Sequence, residues 1–360
     1  QAYEQAFADF LGGGYADLVN SGTSALYAAL GALRLPVAGE VVVPPITDPG
    51  GVMPVAMLCQ VPVVADADEG TFNTSAEQVE AVLTPHTRAI VVAHIAGEPV
   101  DMDPILELAS ARGIPVVEDC AQAHGASYKG RPVGTLGEIA AFSTMSGKHH
   151  ATGPQGGVVF SRDRDLLWEA KRFADRGKPF NVESSTNIRA GLNLNGNDLA
   201  ATVGRVQLER LPEIIRRRRT VARQIREATG GLRAVRTGRE AGGDGGVYWF
   251  MRFFVDVDQL SVDKDAFARA VAAEGVPVGA AYRHIPSEAR WFRERCVFPG
   301  SDYPWGLPDY QGDRGATFPC PNAVAATEAH FMMSIHENFG QREVSDIAAA
   351  FAKVETAYLR

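Results

Sequence analysis

Strand-like runs that are apolar on both faces constrain this chain more than any other feature. They fall at 41–43, 61–64, 89–93 and 114–118, and they are rich in valine with no polar alternation. A strand without a polar face has to be covered on both sides. Helix-patterned stretches at 49–58, 75–83 and 104–111 lie between these runs. Alternating strands and helices of this kind predict an α/β fold built on a mostly parallel sheet with helices on both faces. In such sheets ligands sit beyond the carboxyl ends of the strands. Thr47, Asp48, His94 and Asp119 each follow a strand-like run and so belong to that edge.

Length and charge narrow the class. The 360 residues are enough for one large domain and a smaller one. The net charge of −8 and the lack of any block of like charge exclude an electrostatic case for nucleic acid or an anionic membrane. The one basic cluster, Arg216, Arg217, Arg218 and Arg219, lies in a helical pattern and reads as a solvated helix face. No run approaches the ~18 apolar residues of a membrane span. Cys59, Cys120, Cys296 and Cys320 lack metal-site or disulfide spacing, so no metal is expected and a reducing, cytoplasmic setting is. The chain opens at Gln1 inside a helical pattern, with neither a signal peptide nor an initiating Met, and some preceding residues are expected.

Along the chain, a helix over 1–11 and an extended piece at 16–19 lead into Asn20-Ser21-Gly22-Thr23-Ser24, which opens an Ala/Leu-rich helix. Such a helix start offers unpaired N–H groups and the positive end of the dipole to a phosphate. An ordinary N-cap by Ser21 or Thr23 accounts for the same residues. Strands are predicted at 139–142, 157–160, 247–255 and 276–282, and helices at 164–173, 198–211, 213–228, 264–274 and 341–359, with a break or kink at Pro212. The Gly/Asn-rich stretch 175–197 reads as a long functional loop. Segment 295–321 reads as irregular. The pattern changes near residue 230, predicting a large domain over 1–230 and a small α+β domain over 231–360.

The chemistry concentrates between 114 and 159. Asp119 ends an apolar run, Gln122 follows at i+3, Ser143 ends the next strand, and Lys148 lies five residues on in a Gly-bearing turn. Pyridoxal 5′-phosphate (PLP) requires parts of these kinds: a lysine for its aldehyde, a carboxylate for its ring nitrogen, a donor at its ring hydroxyl and a cradle for its phosphate. A buried strand-end carboxylate needs a partner, and a pyridinium supplies one. Ala121 is small enough to lie against a flat ring. Taken singly, a strand-end Asp is an ordinary turn residue and a loop Lys an ordinary solvated one; their joint order carries the reading.

The same residues resemble a known family, the DegT/DnrJ/EryC1/StrS sugar aminotransferases, which are PLP enzymes of fold type I. NSGTSAL resembles the family's phosphate-binding turn, and HIAGEPVDMDPILELASARGIPVVEDCAQAHGASYKGRPVGTLGEIAAFS follows its His-x-x-Gly, Glu-Asp-x-Ala-Gln and Phe-Ser order. GLNLNGNDLAATVGRVQLERL resembles its Gly-x-Asn-x-Arg segment. The resemblance implies a large domain with a seven-stranded type of sheet. It implies Lys148 as the lysine that carries the cofactor and Asp119 as its pyridinium partner. Gln122 would meet the ring hydroxyl, and Gly22, Thr23 and Ser143 the phosphate. Asn193 would reach the phosphate of a second subunit, implying a homodimer with sites at the interface. His94 matches a family histidine near the pocket.

Four departures stand out. Gly153-Pro154-Gln155-Gly156-Gly157 replaces a Gly-acid-Gly-Gly turn, Asp48 stands about where a ring-stacking aromatic is usual, Asn195 replaces an Arg, and His149 and His150 follow the lysine. Related sugar 3-dehydratases carry His at the lysine position, so Lys148 favours transamination. The expected activity is amino transfer from glutamate or glutamine to a keto-sugar or keto-cyclitol, in secondary-metabolite or glycan biosynthesis. CPNAVAATEAHFMMSIHENFGQREVSDIAAAFAKV resembles members acting on carbocycles. Asp48, His94, His149, His150, Arg283, His284, His336 and Glu337 are candidate substrate contacts, each with an equally simple structural role. Elimination or another carbanion reaction on PLP, and a PLP-bound regulatory protein, remain the alternatives.

Overall fold

A computed structural model describes residues 1–280, 282 and 284–360. After α1 (Ala2–Phe10), strand β1 (Tyr15–Val19) runs into α2 (Gly22–Ala32). The alternating region follows: β2 (Glu40–Val43), α3 (Met53–Met57), β3 (Val61–Val64), α4 (Ala76–Glu80), β4 (Thr87–Ala93), α5 (Met102–Arg112) and β5 (Val116–Asp119). A small hairpin of β6 (Ser127–Tyr128) and β7 (Arg131–Pro132) precedes β8 (Ile139–Ser143) and β9 (Gly157–Ser161). The seven-stranded sheet has the order β1-β9-β8-β5-β4-β2-β3. Strands β3, β2, β4, β5 and β8 pair in parallel, and β9 runs against both β8 and β1.

Two-sided burial follows from the strand period of two. Val41 and Val43 enter one core layer and Val42 the other; Val91 likewise opposes Ile90 and Val92. Helix α2 is buried along nearly its whole length between the sheet and α6 (Arg164–Ala174), as its Ala-rich sequence permits.

Helix α7 (Asp198–Thr229) is one continuous helix of 32 residues, against the predicted break at Pro212. Pro212 is exposed, while Leu208, Leu211 and Ile215 around it are buried. Apolar packing on one side holds the helix through the missing N–H. The second sheet, β10-β11-β13-β12, comprises β10 (Val235–Thr237), β11 (Met251–Val255), β12 (Val278–Gly279) and β13 (His330–Met333). Its core takes Val221, Ala222 and Ile225 from α7, Phe267 and Val271 from α8 (Lys264–Ala273), and Phe351 and Val354 from the C-terminal helix. Short α9 (Arg290–Arg293) lies in the irregular stretch before α10 (Pro321–Ala329), and α11 (Gln341–Tyr358) closes the chain. The strand predicted at 247–255 begins only at Met251, because 247–250 turns toward the large sheet: Val247 and Trp249 donate to the carbonyls of Gly97 and Ala96 at 2.9 and 2.8 Å; of the strand predicted at 276–282, Val278 and Gly279 form β12 and Ala281 lies outside the described residues.

Candidate active site

Adjacent carboxylates at the end of β5 separate by strand alternation. Glu118 turns into the protein, where its carboxylate accepts the N–H groups of Gly134, Leu136 and Gly137 at 2.7, 2.7 and 2.8 Å and Nε2–H of His94 at 3.1 Å. Burial pushes its pKa up, but these donors outweigh burial and hold it below the ordinary carboxylate range. His94 is fully buried, and its Nδ1 accepts the Val100 N–H at 3.0 Å, which places the ring proton on Nε2. Both nitrogens are thus used, and the ring reaches neither cavity described below. The fully bonded His94 and Glu118, with Cys120 beside them, form a structural cluster.

Asp119 faces the other way. Its Oδ1 accepts the Ala121 N–H at 3.0 Å. Its Oδ2 accepts no hydrogen bond among the described residues and lies 3.1 Å from where a Cβ on Gly51 would sit. Burial raises its pKa, opposed by the Ala121 amide and the charge of Lys148.

A cavity of about 230 Å³ lies in front of that oxygen, lined by Gly22, Thr23, Asp48, Ala121, Ser143 and Lys148 among others. One end is the start of α2, where Ser21 caps the helix by accepting the Ser24 N–H at 3.1 Å. The amides of Gly22 and Thr23 come before the first intrahelical donor, the Ala25 N–H, and stay available. A Cβ on Gly22 would stand 2.6 Å from Cβ of Ser143, so only glycine lets the helix start approach the β8 end. Asp48 caps the Pro49–Gly51 turn, accepting the Gly50 N–H at 2.9 Å, and Gln155 of the altered turn lines the same cavity. No aromatic side chain lines it among the described residues.

Lys148 lines this cavity and a larger one of about 810 Å³. Its Nζ stands 3.8 Å over the Trp249 ring centroid. Burial lowers its pKa, with the carboxylates of Asp119 and Asp48 opposing. The larger cavity is bounded by both sheets' surroundings and lined by His149, Arg218, Trp249, Tyr282, His336 and Glu337 among others. His149 lines it, its ring near the carbonyls of Val247 and Tyr248 but with neither nitrogen in a well-formed hydrogen bond among the described residues. His150 is fully buried instead, bonded through Nε2 to the Tyr3 hydroxyl at 2.6 Å, and lines neither cavity. His284 lines a separate small cavity with Thr47 and Trp291. Arg283 lies outside the described residues. Asn193 is exposed in the 175–197 loop and is absent from its own chain's cavity lining.

Several lining residues were not singled out from the sequence, Arg218, Trp249 and Tyr282 among them. Arg218 was read as part of a solvated face, yet it is buried, donating to the carbonyls of Val247, Tyr248 and Trp249 and to Glu337 at 3.2 Å. The spacing Leu211, Ile215, Arg218, Ala222, Ile225 puts it on the apolar stripe and carried that signal. Arg219 is half-buried on the carbonyls of Gly245 and Gly246, and only Arg216 and Arg217 match the solvated reading. Trp249 and Tyr282 come from segments whose position only folding decides.

Comparison with known proteins agrees with this arrangement. The chain matches the DegT/DnrJ/EryC1/StrS aminotransferase family over residues 1–352. It is 32% identical over 330 residues to GDP-perosamine synthase of Caulobacter vibrioides, covering 87% of this chain and 86% of that one. An aminotransferase structure from Psychrobacter cryohalolentis superposes with a TM-score of 0.85 at 29% identity, covering 99% and 91% of the two chains. The structure of 3-amino-5-hydroxybenzoic acid synthase gives 0.83 at 28% identity, covering 99% and 90%. The chain therefore belongs to the DegT/DnrJ/EryC1/StrS sugar aminotransferase family and is a PLP-dependent aminotransferase of the fold type I architecture.

Proposed function

We propose that Lys148 carries the cofactor between turnovers and moves the proton during them, passing an amino group from glutamate or glutamine to a keto-sugar or keto-cyclitol. The observation that carries this reading is that Lys148 borders both cavities, one sized for the cofactor and one large enough for a substrate. The residues present fit PLP. The free Oδ2 of Asp119 suits a protonated ring nitrogen, the small side chain of Ala121 suits a flat ring, and the Gly22, Thr23 and Ser143 cradle suits a phosphate. Bound there, PLP supplies an electron sink for the pair left when a proton leaves the nitrogen-bearing carbon.

The protein's own part is proton and position control. A half-buried lysine with a lowered pKa takes up a proton less tightly than a solvated one and can return it within turnover. With PLP bound, Asp119 would hold negative charge at the ring nitrogen. In the larger cavity, Trp249 offers an apolar face, and His149, His336 and Glu337 offer hydrogen bonds to hydroxyl groups. Over the two half-reactions the donor becomes a 2-keto acid and the acceptor's carbonyl becomes an amine, with no net oxidant.

The protein as purified should absorb in the visible, and Lys148→Ala should abolish that band. Mixing the loaded enzyme with glutamate should release about one equivalent of keto acid per site. A protein that ignores added PLP, or donor turnover without keto acid, sinks the reading.

A homodimer belongs to the same reading. Leu199 is 81% exposed, and Val203 and Val206 follow it at helical spacing on an unpartnered face of α7, next to exposed Leu192 and Asn193. A second copy covering this stripe would bring Asn193 toward its partner's phosphate cradle. Leu199→Glu should yield monomers by sedimentation equilibrium and weaken PLP retention; an unchanged mass excludes this face. We read the chain as a cofactor-binding domain over 1–230 and a small domain over 231–360; the second sheet has its own core, shared with Val221, Ala222 and Ile225 of α7, while Phe250, Phe292 and Trp305 pack into the large-sheet core. The four free cysteines accord with the reducing cytoplasm, and among the described residues no helix is long and apolar enough to cross a membrane.

A further inference from the structure

Gln122 joins two halves of the molecule. Its Oε1 accepts the Ala96 N–H at 2.8 Å, in the turn after β4. Only the oxygen end of the amide accepts, so this contact settles which end is which, and the NH₂ end faces Tyr282. One of its hydrogens donates to the Tyr282 hydroxyl at 2.8 Å. Gln122 is 5% exposed, so the amide has little room to turn.

Both anchors are themselves fixed. Ala96 holds a left-handed conformation (φ 65°), and its carbonyl accepts the Trp249 N–H at 2.8 Å. The Tyr282 ring packs 5.3 Å from Phe250 and 6.5 Å from Phe72, centroid to centroid. An NH₂ group has two hydrogens in one plane. With one committed to Tyr282, the direction of the other is determined.

We propose that Tyr282 is a positioning residue: it holds the Gln122 amide so that the remaining N–H stays directed at the ring oxygen of the cofactor. The small-sheet half of the molecule thereby acts on the cofactor through one side chain. This rests on the reading that Gln122 meets that oxygen. The charged or titratable groups around this link among the described residues are Asp119 and Asp48, which act on Tyr282, Lys148 and His94, which act on Asp119, and His284, whose ring lies 5.1 Å from that of Tyr282; Tyr282→Phe replaces none of them.

The test uses holoenzyme and the pH titration of its visible band. Tyr282→Phe keeps both ring contacts and should bind PLP at wild-type stoichiometry. Weaker donation to the ring oxygen leaves the adjacent lysine-derived nitrogen holding its proton more firmly. The titration midpoint should therefore move up by about half a unit or more. Gln122→Leu should move it at least as far, and the double variant no further than Gln122→Leu alone, since Tyr282 acts only through Gln122. A midpoint that moves in Gln122→Leu but not in Tyr282→Phe overturns the positioning role and leaves the reading of Gln122 standing. A midpoint unmoved in both overturns both, and additive shifts in the double variant overturn the proposed route.

Discussion

Glu118 and Asp119 are neighbours in sequence and have different tasks because a strand sends successive side chains to opposite faces. Glu118 collects three amides and a histidine on its side, while Asp119 keeps one oxygen toward the cavity. Gly22 is as constrained as either. A Cβ there would meet Ser143 at 2.6 Å from its Cβ and 3.0 Å from its Cα, so the helix start or the end of β8 would have to move. Overpacking of this kind costs about 1–3 kcal/mol. Gly22→Ala should therefore weaken PLP binding roughly tenfold or more by equilibrium dialysis while leaving the far-UV circular dichroism unchanged. Wild-type affinity would show that the cradle yields freely. Residue order alone made Asp119, Gln122, Ser143 and Lys148 readable as candidates. It said nothing of Tyr282, which lies 160 positions from Gln122.

Among the elements, the contact that ties β11 to the large sheet is a buried ion pair. Arg252 of β11 reaches Glu98, just beyond β4, with Nε 3.1 and 3.2 Å from its two oxygens. Both side chains are nearly inaccessible. Removing one member leaves an uncompensated charge in a dry site, at about 3–5 kcal/mol. Arg252→Met should lower the urea midpoint accordingly, and Glu98→Met with Arg252→Met should recover most of the loss. A double variant as unstable as the single would mean that packing rather than charge is at stake. The same scale explains two departures from the sequence reading. Helix α7 passes through Pro212 because buried Leu208, Leu211 and Ile215 outweigh one absent hydrogen bond. Arg218 is buried because the apolar stripe of α7 runs past it onto carbonyls at 247–249.

Besides His94, four histidines are buried among the described residues: His124, His149 and His150 in a group beyond Lys148, and His330 in the small sheet. Burial holds all four below the ordinary value, His150 at about 4 and His330 at about 3. Their unfolded value is about 6.5. As pH falls below that, the unfolded chain takes up protons first. Stability is thus complete above about 6.5 and declines toward the folded values, by up to about 1.4 kcal/mol per pH unit for each histidine. Urea midpoints between pH 6.5 and 5 should fall, against the opposing proton uptake of Asp17 and Glu98, which burial pushes up to about 6 and about 7 in the folded chain, and His150→Leu should reduce the slope by about one proton. An unchanged slope would contradict a neutral, buried His150. From its sequence alone the chain determined the α/β layering, the strand ends that carry chemistry and the Asp119–Lys148 order, because period, apolar run and spacing are local properties. Folding alone decided which side chains share a cavity: that Lys148 borders two, that His94 and His150 border neither, and that Arg218, Trp249 and Tyr282 complete the larger one. Those contacts join segments far apart in the chain, and only the way the surroundings of the two sheets come together sets them.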